Sequence, residues 1–307
     1  MKKIIALFFS LICVLQSCQE SEKHPKATEK TKLVCTTGML KDLAINLLPA
    51  EYEVDALMGP GVDPHYYKAS QGDLVNLQKA DLIIYNGLHL EGKMGDILQK
   101  LAKRKEVWSA DLALADADIR TTGEFASGQD PHFWFDVLIW KKVASAMSLK
   151  LQNQFPDDKI QIEKNTSAYL QKLSDLDQEI RTKLSQVPEN RRVLYTAHDA
   201  FAYFGRRYNI EVLALQGLST STEFGLKDVQ NTVNTLIERQ IPAIFVESSV
   251  SPKAIQSVVE QCQSAGFNIN IGGELFSDAM GDEGTPEGTY IGMLQHNTNT
   301  FVEAMKN

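Results

Sequence analysis

The chain has 307 residues, 43% of them hydrophobic and 23% charged, with a formal net charge of −8. That length accommodates two compact units of about 100–200 residues each, and the apolar fraction excludes an intrinsically disordered chain. The acidic surplus argues against a nucleic-acid partner, because phosphate is repelled, and it favours cations.

Residues 1–17 read as a signal peptide. Met1-Lys2-Lys3 is followed by a nearly all-apolar run from Ile4 to Leu15, shorter than the roughly 20 residues a permanent span requires. Leu15-Gln16-Ser17-Cys18 resembles the lipobox of bacterial lipoproteins, although Gln16 is bulkier and more polar than the usual residue there. Cys18 is accordingly expected to be the lipidated first residue of the mature chain. Removing Lys2 and Lys3 and no acid leaves 29 basic against 39 acidic residues, a net −10. Residues 18–31, rich in Glu, Lys, Ser and Thr, read as a solvated tether. No later segment reaches membrane-spanning length, so attachment to the membrane is expected through the lipid alone.

From residue 33 onward, short β-rich runs alternate with helix-period segments. Strands are expected at 33–39, 54–58, 82–86 and 106–108, with helices near 40–48, 70–80, 91–104 and 134–155. Residues 158–187 contain no Gly or Pro, and Ile162, Tyr169, Leu173, Leu176, Ile180, Leu184 and Val187 recur mostly at spacings of three, four or seven. One amphipathic helix about 40 Å long is the reading, stopped by Pro188. The alternation then resumes, with strands at 192–196, 211–215, 243–247 and 267–271 and helices near 199–208, 226–240, 252–265 and 288–305. Such alternation predicts an α/β fold of two lobes (32–157 and 188–307), each with a parallel sheet flanked by helices, joined by one long rigid helix at 158–187.

Cys13 would leave with the signal peptide. Cys35 lies in a strand pattern and Cys262 in a helical one, and both are expected to be buried free thiols. Neither has a CxxC partner, which argues against a thiolate metal site.

Three of the six histidines fall in connections leading from a strand toward a helix. Gly59-Pro60-Gly61-Val62-Asp63-Pro64-His65 and Gln129-Asp130-Pro131-His132-Phe133-Trp134 share an Asp-Pro-His triplet, in which proline restrains the backbone beside the imidazole. His198 follows the strand 192–196 and precedes Asp199. Open α/β sheets bind ligands beyond the carboxyl ends of their strands. With His65 and His132 before the long helix and His198 after it, a shared site lies in a cleft between the lobes. The loop after the last strand offers a fourth donor from Asp278, Asp282 or Glu283. His24, His89 and His296 lack comparable context. Glu247 ends a strand facing the same region, where it either orients a ligand imidazole or bonds a loop. Gly87-Leu88-His89-Leu90-Glu91-Gly92-Lys93-Met94 fits GxxxxGK, but Met94 stands where a phosphate loop needs Ser or Thr, and Glu91 repels phosphate.

Gly61-Val62-Asp63-Pro64-His65, Asp130-Pro131-His132-Phe133-Trp134, Thr196-Ala197-His198-Asp199-Ala200-Phe201, Phe245-Val246-Glu247-Ser248-Ser249 and the stretch from Gly272 to Gly281 resemble, in order, the solute-binding lipoproteins of zinc and manganese ABC importers (cluster A-I, ZnuA/TroA-like). The resemblance runs from about residue 33 to the end. It implies that His65, His132, His198 and Asp278 hold the metal in the interlobe cleft, and it selects Asp278 over Asp282 and Glu283. The implied cargo is Zn2+ or Mn2+; histidine at 198, where manganese binders often carry Glu, suits zinc without excluding manganese or iron. The His-rich loop of zinc-specific relatives is missing, since residues 111–129 contain no histidine. The implied partners are a membrane permease with its ATPase, and the protein is expected to be monomeric, extracytoplasmic and not an enzyme. Two other classes compete: a zinc-dependent hydrolase, against which stand four ligands and the absence of HExxH and GxSxG, and an adhesin or haem-binding surface lipoprotein.

Overall fold

Eight strands and nine α-helices alternate through the computed structural model, which describes residues 30–121, 128–221 and 225–306. The expected signal peptide, Cys18 and His24 lie outside the described residues, as does the tether up to residue 29. In the first lobe, β1 (Lys32–Cys35), β2 (Glu53–Ala56), β3 (Leu82–Tyr85) and β4 (Val107–Ser109) form one parallel sheet in the order β2-β1-β3-β4. Helices α1 (Gly38–Leu47), α2 (Gln71–Lys79), α3 (Gly95–Ala102) and α4 (Val137–Gln154) complete that lobe. In the second lobe, β5 (Val193–His198) pairs with β6 (Glu211–Gln216) and β7 (Ala243–Glu247) with β8 (Asn270–Leu275), again parallel. β5 also lies alongside β7. Helices α6 (Ala202–Tyr208), α7 (Leu226–Glu238), α8 (Lys253–Ser264) and α9 (Tyr290–Met305) connect and close this lobe.

Local chemistry sets the boundaries. Thr37 caps α1 by accepting from Leu40 N, which ends β1 at Cys35 and draws Met39 into the helix rather than the strand expected to run to 39. Ser70 and Asp73 form a reciprocal capping box on α2, and the Asp136 carboxylate accepts from Leu138 N to start α4. The helix expected at 91–104 begins only at Gly95; residues 88–94 form turns, with Leu88 and His89 at positive φ. β8 is displaced from the expected 267–271. Phe267 N bonds Cys262 O in the turn that ends α8, and the strand instead runs through Gly272 and Gly273. A Cβ on Gly272 would stand 2.6 Å from the Phe245 ring, so the absence of a side chain lets β8 seat against β7.

Between the lobes runs α5 (Lys159–Leu184), 26 residues whose buried positions Ile162, Thr166, Tyr169, Leu173, Leu176, Ile180 and Leu184 form one stripe. That stripe packs against α1 and α4 of the first lobe and α9 of the second. The Trp140 and Tyr290 rings stack at 5.0 Å, joining α4 to α9. Cys35 and Cys262 are buried and free, as expected. No described helix is long and apolar enough to cross a membrane.

Candidate metal centre

Each Asp-Pro-His triplet folds onto itself. Asp63 Oδ1 accepts from His65 N at 2.8 Å, and Asp130 Oδ1 accepts from His132 N at 3.0 Å. Proline has no N–H, so the aspartate turns back onto the histidine amide, two residues on. Asp130 Oδ1 also lies 2.8 Å from His132 Nδ1, which turns Nε2 toward the cleft. The other oxygen of Asp63 accepts from Thr220 Oγ1 of the second lobe at 2.6 Å. His132 precedes a short 3-10 turn, Phe133–Phe135, and its ring meets Trp134 edge-on at 5.2 Å.

From the second lobe come His198 and Asp278. His198 is the last residue of β5, not a loop residue beyond it. Its N–H donates to Glu247 Oε1 at 2.8 Å, and its Nδ1 lies 2.6 Å from Glu247 Oε2 at the end of β7. Asp278 follows β8 in a loop tied to α9, where the Asn297 side chain bonds both Phe276 N and Phe276 O. Trp134 Nε1 donates to Ser277 O across the lobes.

The structure brings His65, His132, His198 and Asp278 together, with one donor atom from each lying within 4.8 Å of the others. All four are buried. His65 Nε2 and His132 Nε2 are 3.4 Å apart. The Asp278 oxygens stand 3.5, 3.4 and 3.3 Å from Nε2 of His65, His132 and His198. Zinc bonds of about 2.0–2.1 Å place tetrahedral donors about 3.3–3.4 Å apart; these four separations lie close to that edge, with Oδ2 of Asp278 facing His65 and His198 and Oδ1 facing His132. Both Asp278 oxygens are buried without a hydrogen bond among the described residues, a costly arrangement for a carboxylate unless cations face it.

The imidazoles differ in their hold on a proton. Burial pushes His65 down to about 3. Burial also pushes His198 down, but the carboxylates of Glu247 and Asp278 outweigh it and hold His198 well above its ordinary value. Burial alone would raise Asp278; the imidazoles, His198 foremost, hold it below the usual carboxylate range.

Other candidates lie apart. Asp282 and Glu283 are exposed, and Glu283 pairs with Lys41. His89 is exposed; His296 bonds Glu274 O at 3.0 Å. In the GxxxxGK loop the buried Glu91 accepts from Asn86 N, Gly87 N and Thr36 Oγ1, so the loop's amides serve its own carboxylate. Sequence reasoning passed over Asp63, Asp130 and Arg120; the repeated Asp-Pro-His was the available signal for the first two.

A family model described as zinc-uptake complex component A, periplasmic (ZnuA), matches residues 33–304. The manganese-binding lipoprotein MntA of Bacillus subtilis is 44% identical over 292 residues, covering 95% of each chain. The zinc-binding protein TroA of Treponema pallidum is 43% identical over 283 residues, covering 92% of this chain and 91% of that one. The solved structure of TroA superposes with a TM-score of 0.88 at 43% identity, covering 91% of this chain and 100% of its own.

Proposed function

The chain belongs to the ZnuA family of periplasmic zinc-uptake components, and from that premise we propose that it captures a divalent transition metal, zinc or manganese, outside the cytoplasm and delivers it to an ABC importer. His65, His132, His198 and Asp278 are the proposed ligands. The observation that carries the reading is the buried set of three imidazoles and one carboxylate, in which His65 Nε2 and His132 Nε2 are 3.4 Å apart and each of the three Nε2 atoms stands 3.3–3.5 Å from an Asp278 oxygen. Glu247 and Asp130 orient His198 and His132 from behind, fixing which ring nitrogen faces the metal. Both Asp278 oxygens face imidazoles, so the carboxylate can supply one donor for tetrahedral zinc or two for the higher coordination of manganese. Among the relatives, one is named for manganese and one for zinc.

In this reading Cys18 carries the lipid anchor, residues 18–31 tether the domain, and residues 32–157 and 188–307 are the lobes that hold the metal between them. The monomer meets a permease whose ATPase drives import. No catalysis is part of it: four protein donors leave a tetrahedral metal no open position for substrate.

The test is titration of the metal-stripped mature protein with zinc and with manganese(II). One equivalent is expected to bind. Structural zinc sites gain about 10–16 kcal/mol from the whole ligand set, so His132→Ala is expected to weaken affinity by about 100-fold or more. Unchanged affinity in that variant would favour an adhesin or haem binder, and metal-dependent turnover of ester or peptide substrates would favour a hydrolase.

A further inference from the structure

Behind the ligands, on the side away from Asp278, lies a second charged cluster that the proposed metal set does not use. Arg120 stands just before the isolated antiparallel bridge Thr121↔Gln129 of the first lobe. Its Nη1 donates at 3.0 Å to Asp130 Oδ2 and at 3.0 Å to Asp199 Oδ2. Asp130 is the carboxylate behind His132, and Asp199 follows His198 in the other lobe. One guanidinium thus joins the carboxylate behind His132 to the chain neighbour of His198, two ligands that the chain carries on opposite sides of α5.

Asp130 divides its oxygens. Oδ1 faces the His132 amide and Nδ1, whereas Oδ2 meets Arg120. The Asp130 side chain has no exposure, so no water can take over the second oxygen without rearrangement. Asp199 lies on the same guanidinium, so losing the arginine leaves two neighbouring acidic groups with no cation between them. The backbone is fastened at the same point. Asp130 N donates to Arg120 O at 2.9 Å, Arg120 N donates to Tyr203 Oη of α6 at 2.9 Å, and that hydroxyl donates to Asp130 O at 3.1 Å. Arg120 is therefore held at both its backbone and its head, on a seat shared by the two lobes.

We propose that Arg120 is a positioning residue for metal capture: by pinning Asp130 Oδ2 it keeps Oδ1 on His132 Nδ1, and Asp199, next to His198 at the end of β5, holds the guanidinium in that place. This rests on the proposed ligand set. A partner that orients a ligating histidine is worth about 10–100-fold in metal affinity. The effect of Arg120 must pass through Asp130, and that separates positioning from general support of the fold.

The experiment is a double-mutant cycle on the mature protein, with zinc affinity read by chelator competition. Arg120→Gln and Asp130→Asn are each expected to weaken zinc about 10–100-fold, and the double variant to lie within about threefold of Asp130→Asn alone. Arg120→Lys, which keeps the charge without the fork, is expected to fall between wild type and Arg120→Gln. If Arg120→Gln does not fold, the cycle is run with Arg120→Lys. Multiplicative losses in the double variant, or unchanged affinity on replacing Arg120, would overturn the proposal. Wild-type protein that binds no zinc would instead overturn the function on which it rests.

Discussion

His65 and His198 face the same carboxylate oxygen yet hold protons differently. Burial is the largest influence on His65, lowering it to about 3, whereas His198 stands between Glu247 and Asp278, whose carboxylates hold it well above its ordinary value and so favour its protonated form. A metal arriving at pH 7 therefore meets a free Nε2 on His65 but must displace a proton from His198. Since the metal-free state binds the extra proton, affinity rises with pH until the raised His198 value is passed, by up to about tenfold per pH unit. Calorimetry at pH 7 in two buffers of different ionisation heat is expected to show about one proton released per metal; none released would contradict the charge pattern. The histidines were legible in the sequence because each stands in a Pro-rich loop or at a strand end. Arg120 was not, because its partners lie 10 and 79 residues away and no local pattern marks an arginine that will fold between them.

At the scale of elements, periodicity was a good guide wherever one helix face is buried. The expected helix at 158–187 differs from α5 only at its ends, where residues 156–158 form a 3-10 turn and the last α-helical residue is Leu184. Leu173 sits mid-stripe with no exposure, so Leu173→Ala is expected to cost about 2–5 kcal/mol in denaturant unfolding while leaving metal stoichiometry unchanged. Periodicity failed at β8. Phe267, Ile269 and Ile271 look more strand-like than Gly272-Gly273, and the glycines belong to the strand because Phe245 and Thr300 press where their side chains would be. Close approach of a distant ring is invisible to a local pattern. The same limit hid the arrangement of the second lobe, where β5–β6 and β7–β8 pair separately and only spatial contact brings β5 beside β7.

For the whole molecule, the connections between lobes resist a wide opening. α5 packs on helices of both lobes, and Asp63 with Thr220, Lys41 with Glu283, Trp134 with Ser277 and Arg120 with Asp199 all cross between them. A continuous helix along both lobes leaves no loop hinge of the kind that absorbs large backbone rotations. Small-angle scattering of the metal-free and metal-loaded protein is expected to give the same radius of gyration within error, and a contraction like that of a flexible-hinged binding protein would contradict it. An importer that must tell a full carrier from an empty one then has almost no change of outline to read. What does change is the electrical content of the cleft floor: two positive charges enter, one leaves as a proton, and the three imidazole dipoles are locked on a common point. Occupancy in such a molecule is signalled by field and stiffness rather than by silhouette.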